Sequence, residues 1–245
     1  MRIAVLSDIH GNLDALDAVL GRCREEGIGP TFVTGDIVGY GAEPQEVIDR
    51  VAELHGVRMV AGNHDLAAVG RFDLEWFNRV AATALRWTRT VLSPSGRGLL
   101  ERLDPRSEGS TALLVHGSVV DPAAEYLLDE ERAAASFGHE RFELCFFGHT
   151  HLPVLFVQDA GGRVEGRVPE PDAVVELDGG HRYLVNPGSV GQPRDGDPRA
   201  SFLIFDTEAR RAVWHRVAYP VEEAQRKIRD AGLPDVLAER LAVGR

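Results

Sequence analysis

Two cysteines in 245 residues, Cys23 and Cys145, are too few for a disulfide framework, and Cys145 sits in an apolar run as a small buried hydrophobe. Basic residues are also in deficit. Lys and Arg total 27 against 38 Asp and Glu, a formal charge of −11, which argues against a broad nucleic-acid surface or an anionic membrane as partner. The chain lacks an apolar run long enough to span a bilayer, a Pro/Ser-rich linker, an internal repeat and a low-complexity tract. Met1-Arg2 leads straight into the first apolar run without a secretory leader pattern, so a cytoplasmic location is expected. With 44% hydrophobic residues, the chain has material for one large domain over 1–245.

What it does contain is a series of five short polar segments, each just beyond a strand-like run: Asp8-Ile9-His10, Gly35-Asp36, Gly62-Asn63-His64-Asp65, His116-Gly117 and Gly148-His149-Thr150-His151. The runs cover 3–6, 31–33, 57–60, 111–115 and 144–147, and a parallel or mixed sheet would bring all five ends to one edge. Singly each segment is weak, since Asp8 can cap a helix and Asp36 can sit in a glycine turn. Besides Asp65, they collect two carboxylates, one amide and five of the nine histidines. That set exceeds one tetrahedral zinc and suits two adjacent divalent ions with open positions for water and substrate. Such ions also keep the centre attractive to phosphate, because the acidic surface is screened over about 8 Å.

The first third alternates strands with helices over 13–26 and 44–54, a βαβαβ start. A helical cover follows at about 66–110, including 78–91 and a segment entered through Ser93-Pro94. Beyond His151 the chain turns strand-rich, at 154–157, 182–185, 201–205 and 212–217, and implies a second sheet. A helical tail at about 221–245 closes it.

In this order the five segments resemble the signature of the calcineurin-like metallophosphoesterases, Asp-X-His, Gly-Asp, Gly-Asn-His-Asp/Glu, His, Gly-His-X-His, over residues 1–205. Asn186-Pro187-Gly188-Ser189 followed by Gly191-Gln192-Pro193-Arg194 is similar to the late loop of the bacterial and archaeal phosphodiesterase branch. The resemblance implies an α/β fold with two sheets packed as an α/β/β/α sandwich. It also implies that Asp8, His10 and His151 hold one metal and Asn63, His116 and His149 the other, with Asp36 bridging both. Manganese, iron, nickel and zinc all suit such mixed nitrogen and oxygen ligands. A metal-bridging hydroxide would then attack a phosphodiester in line.

His64 is assigned as general acid, with Asp65 holding its ring; the bland alternative is a residue that only binds phosphate. His149 and His151 should face the metals together if their segment is extended. Asn12, Tyr40, Tyr126 and Arg194 are candidate substrate contacts, although Asn12 serves equally as a helix cap and Arg194 and Arg199 can pair with Asp195 and Asp197. Trp76 and Phe77 read as packing residues, and His55, His139, His181 and His215 as surface or packing residues. Related protein phosphatases carry Asp-Arg-Gly where this chain has Gly39-Tyr40-Gly41, so the expected substrate is a small phosphoester, chiefly a diester. The alternatives are a dinucleoside polyphosphate or nucleotide hydrolase and a non-catalytic metal-binding scaffold.

Overall fold

The computed structural model describes all 245 residues. In chain order the elements run β1 (Arg2–Leu6), α1 (Leu13–Glu25), β2 (Thr31–Val33), α2 (Pro44–Ala52), β3 (Arg58–Met59), α3 (Asn63–Ala68), α4 (Arg79–Val91), α5 (Pro94–Glu101), β4 (Arg106–Ser107), β5 (Leu113–Val115), α6 (Glu130–His139), β6 (Leu144–Phe146), β7 (Pro153–Gln158), β8 (Val164–Arg167), β9 (Val174–Glu176), β10 (Arg182–Pro187), β11 (Ala200–Asp206), β12 (Arg211–Val217), α7 (Val221–Asp230) and α8 (Asp235–Glu239). They form two mixed six-stranded sheets, ordered β3-β2-β1-β11-β12-β9 and β4-β5-β6-β10-β7-β8.

Strand periodicity explains the layering. Ile3 and Val5 of β1 enter a core shared with Leu144 and Phe146 of β6, Tyr183 and Val185 of β10, and Phe205. The intervening Ala4 and Leu6 face outward, onto a core built with Leu16 and Val19 of α1, Val47 and Ile48 of α2, and Leu85 of α4. On the other sheet Cys145 and Leu184 point the opposite way, toward Ala133 and Phe137 of α6. Helices thus cover the outer faces of two sheets packed against each other, an α/β/β/α sandwich.

Caps fall where the side chains invite them: Asn12 accepts from Ala15 N at the start of α1, Asn78 from Ala81 N at α4, and Ser93 from Gly96 N at α5. The chain's single lysine, Lys227 on α7, reaches Asp14 at 2.8 Å and Glu43 at 3.0 Å, docking the tail behind the loops that carry His10 and Tyr40.

The sheet arrangement corrects two expectations. The five motif-bearing strands do not share a sheet edge: β1, β2 and β3 belong to one sheet, β5 and β6 to the other. The later strands do not form a sheet of their own either, because β11 pairs antiparallel with β1 and β10 pairs parallel with β6. The sequence reading missed α3 and α6, as well as the short edge strands β4, β8 and β9, too brief or too exposed to show a period. Both cysteines are free and buried, and no helix is long and apolar enough to cross a membrane.

Candidate active site

At the carboxyl ends of β1, β2, β5 and β6, and where α3 opens, the chain places Asp8, His10, Asp36, Asn63, His64, His116, His149 and His151 in one buried cluster spanning both sheets. The backbone is bent hard to achieve this. Asp8, His10, Asp36, Tyr40, His149 and His151 have φ between 50° and 66° and make up six of the eight non-glycine residues with positive φ. Each such residue costs on the order of 1–3 kcal/mol, and such strain persists where the surroundings impose it and concentrates at functional sites. Small neighbours permit the approach: a Cβ on Gly62 would overlap the Asp36 carboxylate, and one on Gly148 would overlap Ser7 Oγ. The expected extended segment at His149-Thr150-His151 is therefore replaced by two left-handed turns, which still bring both imidazoles into the cluster.

The imidazoles are oriented from behind by carbonyls. Nδ1 of His10 donates to Val38 O at 3.0 Å, Nδ1 of His116 to Thr34 O at 2.8 Å, Nδ1 of His151 to Gln192 O at 2.6 Å, and Nε2 of His149 to Ala124 O at 3.0 Å. In the neutral ring this leaves the other nitrogen as a lone pair. Those lone pairs converge. His10 Nε2 lies 3.2 Å from His151 Nε2, and His116 Nε2 lies 3.1 Å from His149 Nδ1. Between the pairs sits Asp36, its Oδ2 3.5 Å from His10 Nε2 and 3.4 Å from His116 Nε2, while Asp8 Oδ1 is 3.5 Å from His151 Nε2. Asn63 Oδ1 and His64 Nδ1 are buried with no partner at all.

Electrostatics points the same way. Burial pushes Asp8 up to about 7. Burial also opposes charge on Asp36, but His116, His64 and His10 around it hold its carboxyl well below the usual range. Burial drives the rings of His10 and His151 well below the ordinary histidine value and that of His64 down to about 4. On His116 burial is outweighed by the carboxylates of Asp36 and Asp8, which lift the ring to about 9, so a proton can relieve its contact with His149. No proton relieves His10 against His151. A cation does, and the donor set fits one: carboxylate oxygens and imidazole nitrogens lie within coordination reach of one another, and the Asn63 amide oxygen is buried without a partner.

The remaining sequence candidates divide. Tyr40 packs between His10 and His64, ring centroids 4.6 and 4.5 Å away, and Tyr126 stacks on His149 at 3.9 Å while staying 46% exposed. Arg194 lies over the Tyr40 ring at 5.8 Å and makes no ion pair; Arg199 pairs with Asp197 and lies outside the site. Asn12 caps α1 by accepting from Ala15 N and gives one amide N–H to Gly191 O at 2.9 Å, which leaves its second N–H. Asp65 does not hold the His64 ring: its carboxylate accepts from Gly62 N at 2.9 Å and Val38 N at 3.0 Å, pinning the loop under Asp36 and Tyr40. Phe77 touches the His64 ring at 4.8 Å, and Trp76 is 79% exposed instead of packed. His55 and His139 are exposed, His181 contacts Asp178, and His215 contacts Asp172, all away from the cluster.

Sequence reasoning gave no individual role to Gln192, whose carbonyl orients His151, or to Ser189, whose hydroxyl donates to Asp8 O at 2.8 Å. Both stand in the late loop already singled out as a motif. Arg240, which reaches the same loop from the tail, carried no sequence signal.

Residues 1–210 match the family model of the calcineurin-like phosphoesterase superfamily domain. The chain belongs to that superfamily. It is thus a phosphoric ester hydrolase of a metal-dependent family, with Asp and His groups able to hold metal. An uncharacterised protein of Methanocaldococcus jannaschii is 39% identical, with 99% of this chain and 98% of the relative covered. The phosphodiesterase YfcE of Escherichia coli is 26% identical over 85% of this chain and 89% of its own. A metallophosphoesterase from Sphaerobacter thermophilus superposes with a TM-score of 0.90 at 42% identity, covering 100% and 99% of the two chains.

Proposed function

We propose that this phosphoesterase works with two divalent ions and acts mainly on small phosphodiesters. Asp8, His10 and His151 would hold one ion, Asn63, His116 and His149 the other, and Asp36 both. The observation that carries the reading is the two pairs of facing imidazole nitrogens on either side of Asp36, at 3.2 and 3.1 Å, together with the buried, unpartnered Asn63 Oδ1. When bound, such ions supply Lewis-acid charge to phosphoryl oxygens and lower the pKa of water.

The chain's own residues do the rest. As a water oxygen bonds to phosphorus and the P–O bond to the ester group breaks, His64, protonated once the phosphate is bound, gives that proton to the departing ester oxygen. Its ring is neutral in the free protein, and an adjacent phosphate anion raises its proton affinity. Phe77 and Tyr40 hold that ring in place, and Asp65 holds the loop that carries Tyr40. Tyr126 offers an exposed flat face for the ester group, and Arg194 a cation at the rim.

A diester preference is supported by Gly39-Tyr40-Gly41 in place of an arginine-bearing loop, and by the likeness to a phosphodiesterase. The two free, buried thiols fit a reducing compartment, which makes the cytoplasm the proposed location. The acidic surface suits a small substrate rather than nucleic acid or membrane. The experiment compares hydrolysis of bis-p-nitrophenyl phosphate and p-nitrophenyl phosphate with manganese, then with a chelator. Faster release from the diester, abolished by the chelator, is expected; a preference for the monoester overturns the diesterase reading.

A further inference from the structure

At the rim of the cluster two cations lean on one neutral atom. Arg194 Nη2 and Arg240 Nη1 each donate to Oε1 of Gln192 at 3.1 Å, and neither guanidinium has an Asp or Glu partner in a chain with a formal charge of −11. The Asp nearest to Arg194 in sequence, Asp195, is taken by Arg216. Nε of Arg240 donates to the main-chain oxygen of Arg245, the last residue, at 2.7 Å, and Nε of Arg194 is buried with no partner. The two guanidiniums share this acceptor with no acidic side chain between them, and burial together with Arg194 depresses the Arg240 guanidinium.

The pair is tied to the metal-ligand candidates through the same residue. Gln192 is buried, its carbonyl accepts from His151 Nδ1 at 2.6 Å, and its backbone N donates to Ser189 Oγ at 2.8 Å. Arg194 also neighbours the hydroxyls of Tyr40 and Tyr126, the two rings that flank His10 and His149. Arg240 lies beyond residue 210, where the family match ends, so it is a contribution of this chain's tail.

We propose that Arg194 and Arg240 form a clamp for a second phosphate of the substrate, one that is bound but not attacked. This rests on the phosphoesterase site described above and narrows its substrate class to compounds with two linked phosphates, such as nucleoside diphosphate esters. Two planar guanidiniums match phosphate oxygens through paired, charge-assisted hydrogen bonds, and the exposed face of Tyr126 is free to stack on a base.

The test uses the full chain with excess manganese and AMP and ADP as probes. Each nucleotide is scored by inhibition of bis-p-nitrophenyl phosphate hydrolysis and, independently, by the melting-temperature shift it causes. ADP should bind at least roughly tenfold more tightly than AMP, the worth of one charge-assisted contact. In Arg240→Gln that ratio should fall toward unity, and Arg240→Lys, which keeps the charge, should recover part of it. Arg194→Gln removes the other half and should lower the ratio similarly, so misfolding of one variant leaves the other informative. An ADP:AMP ratio near one in the wild type, or one unchanged in the well-folded variants, overturns the clamp. If the diester is never hydrolysed yet ADP stabilises the protein more than AMP in an Arg240-dependent way, the diesterase reading fails and the clamp stands. Hydrolysis of the diester without an ADP preference refutes the clamp and leaves the diesterase reading intact.

Discussion

His10 and His151 face each other through bare nitrogens 3.2 Å apart, each ring having committed its other nitrogen to a carbonyl, of Val38 and of Gln192. Burial keeps both rings uncharged, so no proton bridges the gap. His151→Ala should therefore lower the bound metal by about one ion per chain and turnover by more than about 100-fold. Elemental analysis beside steady-state kinetics checks this; undiminished metal content would contradict the assignment.

His64 should behave differently, because its proposed task is proton donation. His64→Gln is expected to retain bound metal while losing on the order of 10² to 10⁴ in kcat, with the greatest loss on alkyl esters whose leaving groups need a proton most. Equal losses on p-nitrophenyl and alkyl diesters would show that the ring only binds phosphate.

Gly39 provides a way to disturb His64 without replacing it. Its φ of +88° is left-handed, and a Cβ there would overlap Nδ1 of His64. Gly39→Ala should cost turnover through the displaced ring, and combining it with His64→Gln should add little further loss. Additive losses in that double-mutant cycle would place the effect of Gly39 elsewhere.

Lys227 carries the tail's attachment to the back of the site. Replacing it with Met leaves Asp14 and Glu43, both largely covered, without their cation, and should cost about 1–3 kcal/mol, since partial exposure softens the loss. An unchanged urea midpoint would mean that the ion pairs contribute nothing.

The thiols supply the pH prediction. Burial pushes Cys23 up to about 12, and Cys145 is raised by burial too. Native protein should therefore leave a disulfide reagent unreacted at pH 8 and expose both thiols only on unfolding. The folded state keeps these protons after the unfolded chain begins to lose them near pH 8.5, so their contribution to stability declines as pH rises beyond that point. Rapid labelling of the native form would show that the packing of α1 around Cys23 or of β6 around Cys145 opens easily.

The ligand cluster was legible because each of its segments follows an apolar run, and strand ends are where such folds place polar groups. Which sheet each run joins was not, since β11 reaches β1 from almost 200 residues away and local pattern says nothing of such pairing. The left-handed turns at His149 and His151 escaped a period-two reading because tertiary contacts, not propensity, impose them. Asp65 was misassigned by adjacency: consecutive residues of a helix start point apart, and its carboxylate found backbone donors instead. Arg240 had no signal, because one arginine in a polar tail resembles any other until the fold lays it on Gln192.

The central claim is that one cradle holds two ions. Anomalous difference maps of manganese-soaked crystals test it most directly. The account predicts two peaks in each chain, one among Asp8, His10, Asp36 and His151 and one among Asp36, Asn63, His116 and His149. A single peak, or none, contradicts it.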